Sequence, residues 1–176
     1  WFPLQGLVHL WHPHFRPVAP KHEIQDGIEV WYPRFFSIPG LFKSLDGFFM
    51  ALGSLPTLLR LKKHFHFNLI DAHFAYPDGY AATLLGSWLK VPVTITLRGT
   101  EIRHANNPAL RKSLVTALTR AARVFSVSDS LKRHAAGLGI PADKVQVVGN
   151  GVDIENFFPM DKLEARSQLK IPPDVP

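Results

Sequence analysis

Four short stretches of the 176-residue sequence gather side chains able to do chemistry: DAHFAYPD at 71–78, RGTE at 98–101, SVSDS at 126–130 and NGVD at 150–153. His73 is the one residue among them whose ring donates, accepts or exchanges a proton near neutral pH, although a lone histidine at a strand end is most simply a structural one. Arg98 could bind an anionic group or pair with Glu101, with Gly99 between them allowing close backbone approach; a surface ion pair on a loop is the plainer account. Ser126 and Ser128 stand where amides at a helix start can hold an anion, or where Ser128 or Asp129 simply caps the helix. Tyr76, Pro77, Asp78 and Gly79 fit a tight turn in which Asp78 caps the helix that follows, and Asn150-Gly151 fits a left-handed turn.

Each stretch falls where an apolar run ends, so the runs must position them. FNLIDAHF (67–74), VPVTITL (91–97), RVFSVS (123–128) and KVQVVGNG (144–151) read as strands, rich in apolar and β-branched residues. Between them lie helices: one after Asp78 with Ala81, Ala82, Leu85 and Leu89 facing inward, one opened by Asn107-Pro108 and carrying Leu110, Leu114 and Leu118, and one (129–139) closed by Gly139. Upstream, a helix from about Leu41 puts Phe48, Leu52, Leu55 and Leu59 along one face, with Lys62 and Lys63 in its closing turn and Pro56 kinking or splitting it. The proline-rich first forty residues read as extended connections with one short strand at 27–33. Such alternation predicts an α/β fold, a Rossmann-like parallel sheet with helices on both faces and ligands at the carboxyl ends of the strands.

Composition removes several functions. Hydrophobic residues at 46% and charged residues at 19% describe one globular domain, and the absence of cysteine excludes disulfides, zinc-thiolate sites and thiol catalysis. His9, His12 and His14 have no acidic or thiol neighbour, so no metal is expected. GNGVDI lacks the third glycine of a dinucleotide fingerprint, and no phosphate-loop motif occurs. The longest uncharged apolar stretch, 47–59, is too short for a transmembrane helix. A net charge of +6 and pI near 9.8 raise nucleic acid as a partner, but the basic residues are scattered and no nucleic-acid-binding motif is present, so none is expected. Arg34, Lys43, Arg60, Lys62 and Lys63 interleave with Phe35, Phe36, Phe42, Phe48, Phe49 and Phe65, which suits docking on an anionic membrane surface; the alternative is that these rings are core.

Together IDAHFAYPDGYAA, VPVTITLRGTE and VFSVSDSLKRHAAGLGIPADKVQVVGNGVDIENFFP, in that order, resemble the acceptor-side domain of family 4 glycosyltransferases, from about Gly27 onward. The resemblance implies the N-terminal half of a two-domain GT-B enzyme. Such an enzyme moves a sugar from a nucleotide-sugar to a hydroxyl of a glycan or lipid-linked acceptor, with retention and without metal or other cofactor, in surface or secreted glycan synthesis. It further implies a cytoplasmic protein, or one peripheral on the inner face of the plasma membrane. Residues 1–160 would form the domain, lacking its first strand, and 161–176 would begin a linker to a donor-binding domain. Glu155 and Glu164 are too far apart to be the family's paired glutamates. By the same resemblance His73 is the catalytic residue in the cleft, and Asp71 stands where the family often shows another histidine. Arg98 and Glu101 replace a histidine and an aspartate; with Gly99, Thr100, Tyr76 and Asp78 they would contact substrate, and Ser128, Asn150 and Gly151 would lie at the cleft or hinge. The rival is a non-catalytic binding domain derived from a truncated or degenerate transferase.

Overall fold

The computed structural model describes residues 19–38 and 40–172; the histidines at 9, 12 and 14 lie outside them. The first elements are β1 (His22–Gln25) and β2 (Ile28–Trp31), paired antiparallel. Asp26 and Gly27 between them both have positive φ, 49° and 80°, as the two-residue hairpin turn requires. The single strand expected at 27–33 is thus the second arm of a hairpin.

Helix α1 (Asp46–His64) follows, then β3 (Ile70–His73), α2 (Tyr80–Leu89), β4 (Val93–Leu97), α3 (Thr100–Ala105), α4 (Pro108–Arg120), β5 (Arg123–Ser126), α5 (Asp129–Gly137), β6 (Val145–Val147) and α6 (Lys162–Gln168). The last four strands form one parallel sheet in the order β3-β4-β5-β6. The expected α/β architecture with a parallel sheet is present.

Because the order never reverses, the crossover helices pack on the same side of the sheet. Ala72, Ile95, Val124 and Val145 form one core with Ala82 of α2, Leu114 and Leu118 of α4, and Leu131 and Ala135 of α5. The alternate residues Asp71, His73, Thr94, Thr96 and Phe125 point to the other side and are exposed or half-buried, so among the described residues no crossover helix covers that face.

Local sequence signals fix the helix ends. Asn107 accepts from the amides of Ala109 and Leu110 at 3.0 and 3.4 Å, with Pro108 in the first turn, so α4 begins as read. Gly139, at φ 88°, ends the turn after α5 and lets Ile140 donate to the Ala135 carbonyl at 3.1 Å. Helix α1 departs from the expectation. It runs unbroken through Pro56, whose exposed position leaves water to reach the carbonyl that lacks an amide. Its buried side is Gly47 and Ala51, with Met50, Leu55 and Leu58 against Ala81 and Leu85, while Phe48, Leu52 and Leu59 are 41, 44 and 48% exposed. Small residues let α1 approach α2 closely, and a Cβ on Gly47 would come within 2.9 Å of the Tyr80 ring. That contact, rather than the bulkiest stripe, sets which face is inside.

The phenylalanines divide between the two readings. Phe36 and Phe49 meet edge to face at 5.4 Å, and the chain at Arg34 crosses α1 so closely that a Cβ on Gly53 would lie 2.4 Å from the Arg34 carbonyl oxygen. Phe42, Phe48 and Phe65 remain exposed. Among the described residues no helix is long and apolar enough to cross a membrane.

Candidate active site

The strongest gathering of polar groups lies at the carboxyl ends of β3 and β4. Parallel pairing sets His73 beside Thr96 and Asp71 beside Thr94, all four on the uncovered face. Arg98, the first residue beyond β4, donates from Nε to His73 Nδ1 at 2.7 Å. A guanidinium can only donate, so Nδ1 is the accepting nitrogen and, in a neutral ring, the proton sits on Nε2. Nε2 faces Asp71 Oδ2 at 3.4 Å, and the other Asp71 oxygen accepts from Thr94 Oγ1. Thr94, Asp71, His73 and Arg98 thus form a chain that fixes both ring plane and tautomer.

The His73 and Asp71 side chains are 47 and 46% exposed. The ring is oriented yet open to solvent, and the long Nε2 contact leaves its proton available to an incoming acceptor atom. Both residues, with Asp78 and with Met50 and Ser54 of α1, line a groove of about 320 Å3. Burial, its largest cause, holds the Asp78 carboxyl above the ordinary aspartate range, opposed by its own backbone amide and by His73. The sequence alone does not mark Asp71 and Thr94 as partners of His73. The alternation in VTITL, laid against IDAH in parallel register, is the signal that joins them.

Several expected contacts are different in the structure. Asp78 does not cap α2: the segment Ala75–Gly79 makes a wide turn with a cis Tyr76–Pro77 bond, and Gly79 at the cap position forms no side-chain bond. Tyr76, read as substrate-binding, is buried; its hydroxyl donates to the Lys43 carbonyl and accepts from the Gly47 amide at 3.3 Å, which ties the turn to α1. Burial chiefly pushes the Tyr76 phenol up. Arg98 and Glu101 do not pair. Glu101 is 1% exposed, and its oxygens accept from the amides of Ala75 at 3.0 Å and Gly99 at 2.7 Å, so it is turned away from any ligand on the surface. Gly99, at φ 122°, occupies a conformation that a side chain would strain, and Thr100 is exposed at the start of α3.

Ser128 is a cap, accepting from the Leu131 amide at 3.4 Å. Ser126 is buried, and its hydroxyl has no partner among the described residues. Asn150 and Gly151 are exposed beyond β6, but neither has positive φ, so the left-handed turn is absent. Asp153 instead organises that stretch, accepting from the amides of Glu155 and Asn156 and from the Asn156 side chain at 2.7 Å; the side-chain bond leads in holding its carboxyl below the usual range. Among the described residues no three His, Asp or Glu side chains cluster as metal ligands.

An ordered, solvent-open histidine at the end of a parallel strand is common to many α/β enzymes, so the sequence must decide between them. The sequence profile of Glycosyltransferase Family 4 matches residues 7–156. The chain belongs to that family. Among curated proteins, this family 4 chain is 27% identical over 165 residues to a Bacillus subtilis (strain 168) protein named as a teichuronic acid biosynthesis glycosyltransferase, TuaC. The match covers 90% of the chain and 41% of TuaC, so the chain spans about two fifths of that relative's length. Among solved structures, UDP-GlcNAc 2-epimerase from Neisseria meningitidis, bound to UDP-GlcNAc, is 22% identical with a TM-score of 0.44 over 57% of this chain and 27% of its own.

Proposed function

We propose that this family 4 chain is the acceptor-side domain of a two-domain, retaining glycosyltransferase that carries a sugar from a nucleotide-sugar to a hydroxyl of a glycan or lipid-linked acceptor. The supporting observation is the His73 imidazole, held in one tautomer by Asp71 and Arg98 and half open to the groove. Its Nε2–H would donate to a sugar hydroxyl or to charge developing as the donor bond breaks, and Arg98 would add a positive field beside it. In the front-face course that the resemblance implies, the departing diphosphate takes the acceptor proton. No protein base, metal or cofactor is then required. The name of TuaC, a teichuronic acid biosynthesis glycosyltransferase, is in keeping with a part in glycan synthesis.

Residues up to about 160 would form the domain, with the exposed stretch through α6 leading toward a donor-binding domain. This chain by itself is expected to show no transfer. The exposed Phe42, Phe48, Leu52 and Leu59, with Arg60 and Lys63 nearby, favour peripheral docking of a cytoplasmic enzyme on anionic lipid.

In the full-length protein, His73→Ala should lower kcat by about 100-fold or more, the effect of losing one preorganised donor, with nucleotide affinity kept. Measuring kcat and thermal stability on the same preparation separates the roles. A destabilised variant with unchanged turnover per folded molecule would make His73 a structural histidine.

A further inference from the structure

Glu101 is a buried carboxylate, 1% exposed, and among the described residues it makes no ion pair. Burying such a group is unfavourable unless hydrogen bonds replace its water, so its two partners identify what it is there to hold. One oxygen accepts from the Ala75 amide, two residues after His73; the other accepts from the Gly99 amide, next to Arg98. We propose that Glu101 is a positioning residue: by clamping the loops after β3 and β4 to one another, it sets Arg98 Nε against His73 Nδ1 and so selects the ring tautomer.

Both loops need such a clamp. Phe74 leaves β3 at φ 70°, which a residue with a Cβ keeps only where surrounding contacts fix it, and Gly99 leaves β4 at φ 122°, one of many conformations open to glycine, so its own backbone does not hold that loop. β3 and β4 determine where the strands end but not how the two loops leave them. A carboxylate has two accepting oxygens and satisfies both amides at once; a carboxamide has one, and its NH2 would oppose the second N–H. Removing the Gly99 bond loosens the loop that carries Arg98, the movable partner of the 2.7 Å contact with His73, whose own place is fixed in β3 beside Thr96.

Glu101→Gln in the protein, with 15N-labelled histidine, provides the test. The wild type should show His73 with distinct Nδ1 and Nε2 resonances of the Nε2–H tautomer, and a downfield Gly99 amide proton. The variant should lose the downfield shift and show mixed tautomers at His73, a ring that Glu101 does not touch. Loss of the Gly99 shift with His73 unchanged would overturn the coupling. In the full-length enzyme the same variant should lose on the order of 10- to 100-fold in kcat at unchanged KM for the nucleotide-sugar, the scale of a small misplacement. That arm rests on the proposed transfer reaction, whereas the resonance arm does not. Tautomer mixing in a protein with no transferase activity would fault the reaction and leave the clamp standing. If the glutamine variant does not fold, wild-type hydrogen exchange decides: the Ala75 and Gly99 amides should be comparably protected, and free exchange at either while His73 keeps one tautomer would refute the clamp.

Discussion

Helices α4 and α1 carry large apolar residues at the same spacing, yet the structure uses them differently. Leu114 and Leu118 of α4 are 0% exposed, while Phe48, Leu52 and Leu59 of α1 face water and the buried side belongs to Gly47 and Ala51. The α4 stripe meets a sheet of branched side chains and needs bulk to fill the space. Of the α1 stripe only Leu55 reaches α2, while Phe48, Leu52 and Leu59 stay largely exposed, because α1 docks through small residues on α2. Spacing marks where apolar area lies along a helix, and the neighbour's shape determines whether it is buried.

Truncation should separate the two helices most sharply. Leu114→Ala is expected to cost about 2 to 5 kcal/mol, the range for deleting a buried leucine, and Leu52→Ala to stay within about 0.5 kcal/mol. Urea unfolding of both variants measures this, and equal losses would mean that α1 is covered in solution. Close approach offers the next contrast. A Cβ on Gly86 would lie 2.4 Å from Val93 Cγ2, whereas one on Gly137 meets nothing within 4 Å. Gly86→Ala should destabilise by about 1 to 3 kcal/mol and Gly137→Ala should stabilise by up to about 1 kcal/mol, readable as opposite shifts in Tm.

The α1 stripe can then be sharpened from an unpartnered face to a docking face. Phe48→Ser with Leu52→Ser should lower co-sedimentation with anionic vesicles several-fold, and binding of the wild type should weaken with salt and be poor on neutral vesicles. Wild-type binding that ignores lipid charge would remove the membrane from the account. The smallest effect concerns Asp78, which shares its groove with α1. Its folded pKa is raised, so the folded state holds a proton more tightly than the unfolded chain. The stability tied to this group is full below about pH 3.8 and is lost as pH rises through the higher folded value. Asp78→Asn should therefore be slightly more stable than wild type at pH 7, with the difference vanishing near pH 3. The opposite sign in a pair of melting series would show that the ionised form is the favoured one.

Much of the sheet was legible because its signals are local. VPVTITL, the Asn107-Pro108 cap and the Gly139 stop mark β4, α4 and the end of α5 directly. The hairpin was not legible as such: the sequence reads as one strand at 27–33, because the surrounding prolines masked Asp26-Gly27 as a turn between two short extended runs. What else was not legible depended on distant partners. Glu101 looks like a surface residue in RGTE, and only Ala75, 26 residues earlier, shows why it is buried. Tyr76 reads as a turn residue over a groove until the Lys43 carbonyl and the Gly47 amide claim its hydroxyl. His73 and Arg98 were found as neighbours in role, but their direct bond needed the parallel register that brings the two strand ends together.

The uninterrupted strand order bears on how the domain is made. Ile70 pairs with Val93, Thr94 with Arg123 and Val124 with Val145, separations of 23, 29 and 21 residues, so each of these sheet contacts closes a loop of one crossover and, among the described residues, no strand is inserted between two others. Loop-closure entropy grows slowly with length, so the three closures are of similar difficulty. The sheet can therefore grow in one direction, each strand laid down on its predecessor as synthesis delivers it. The clamp between the β3 and β4 loops can close as soon as α3 has emerged, before β5 and β6 exist.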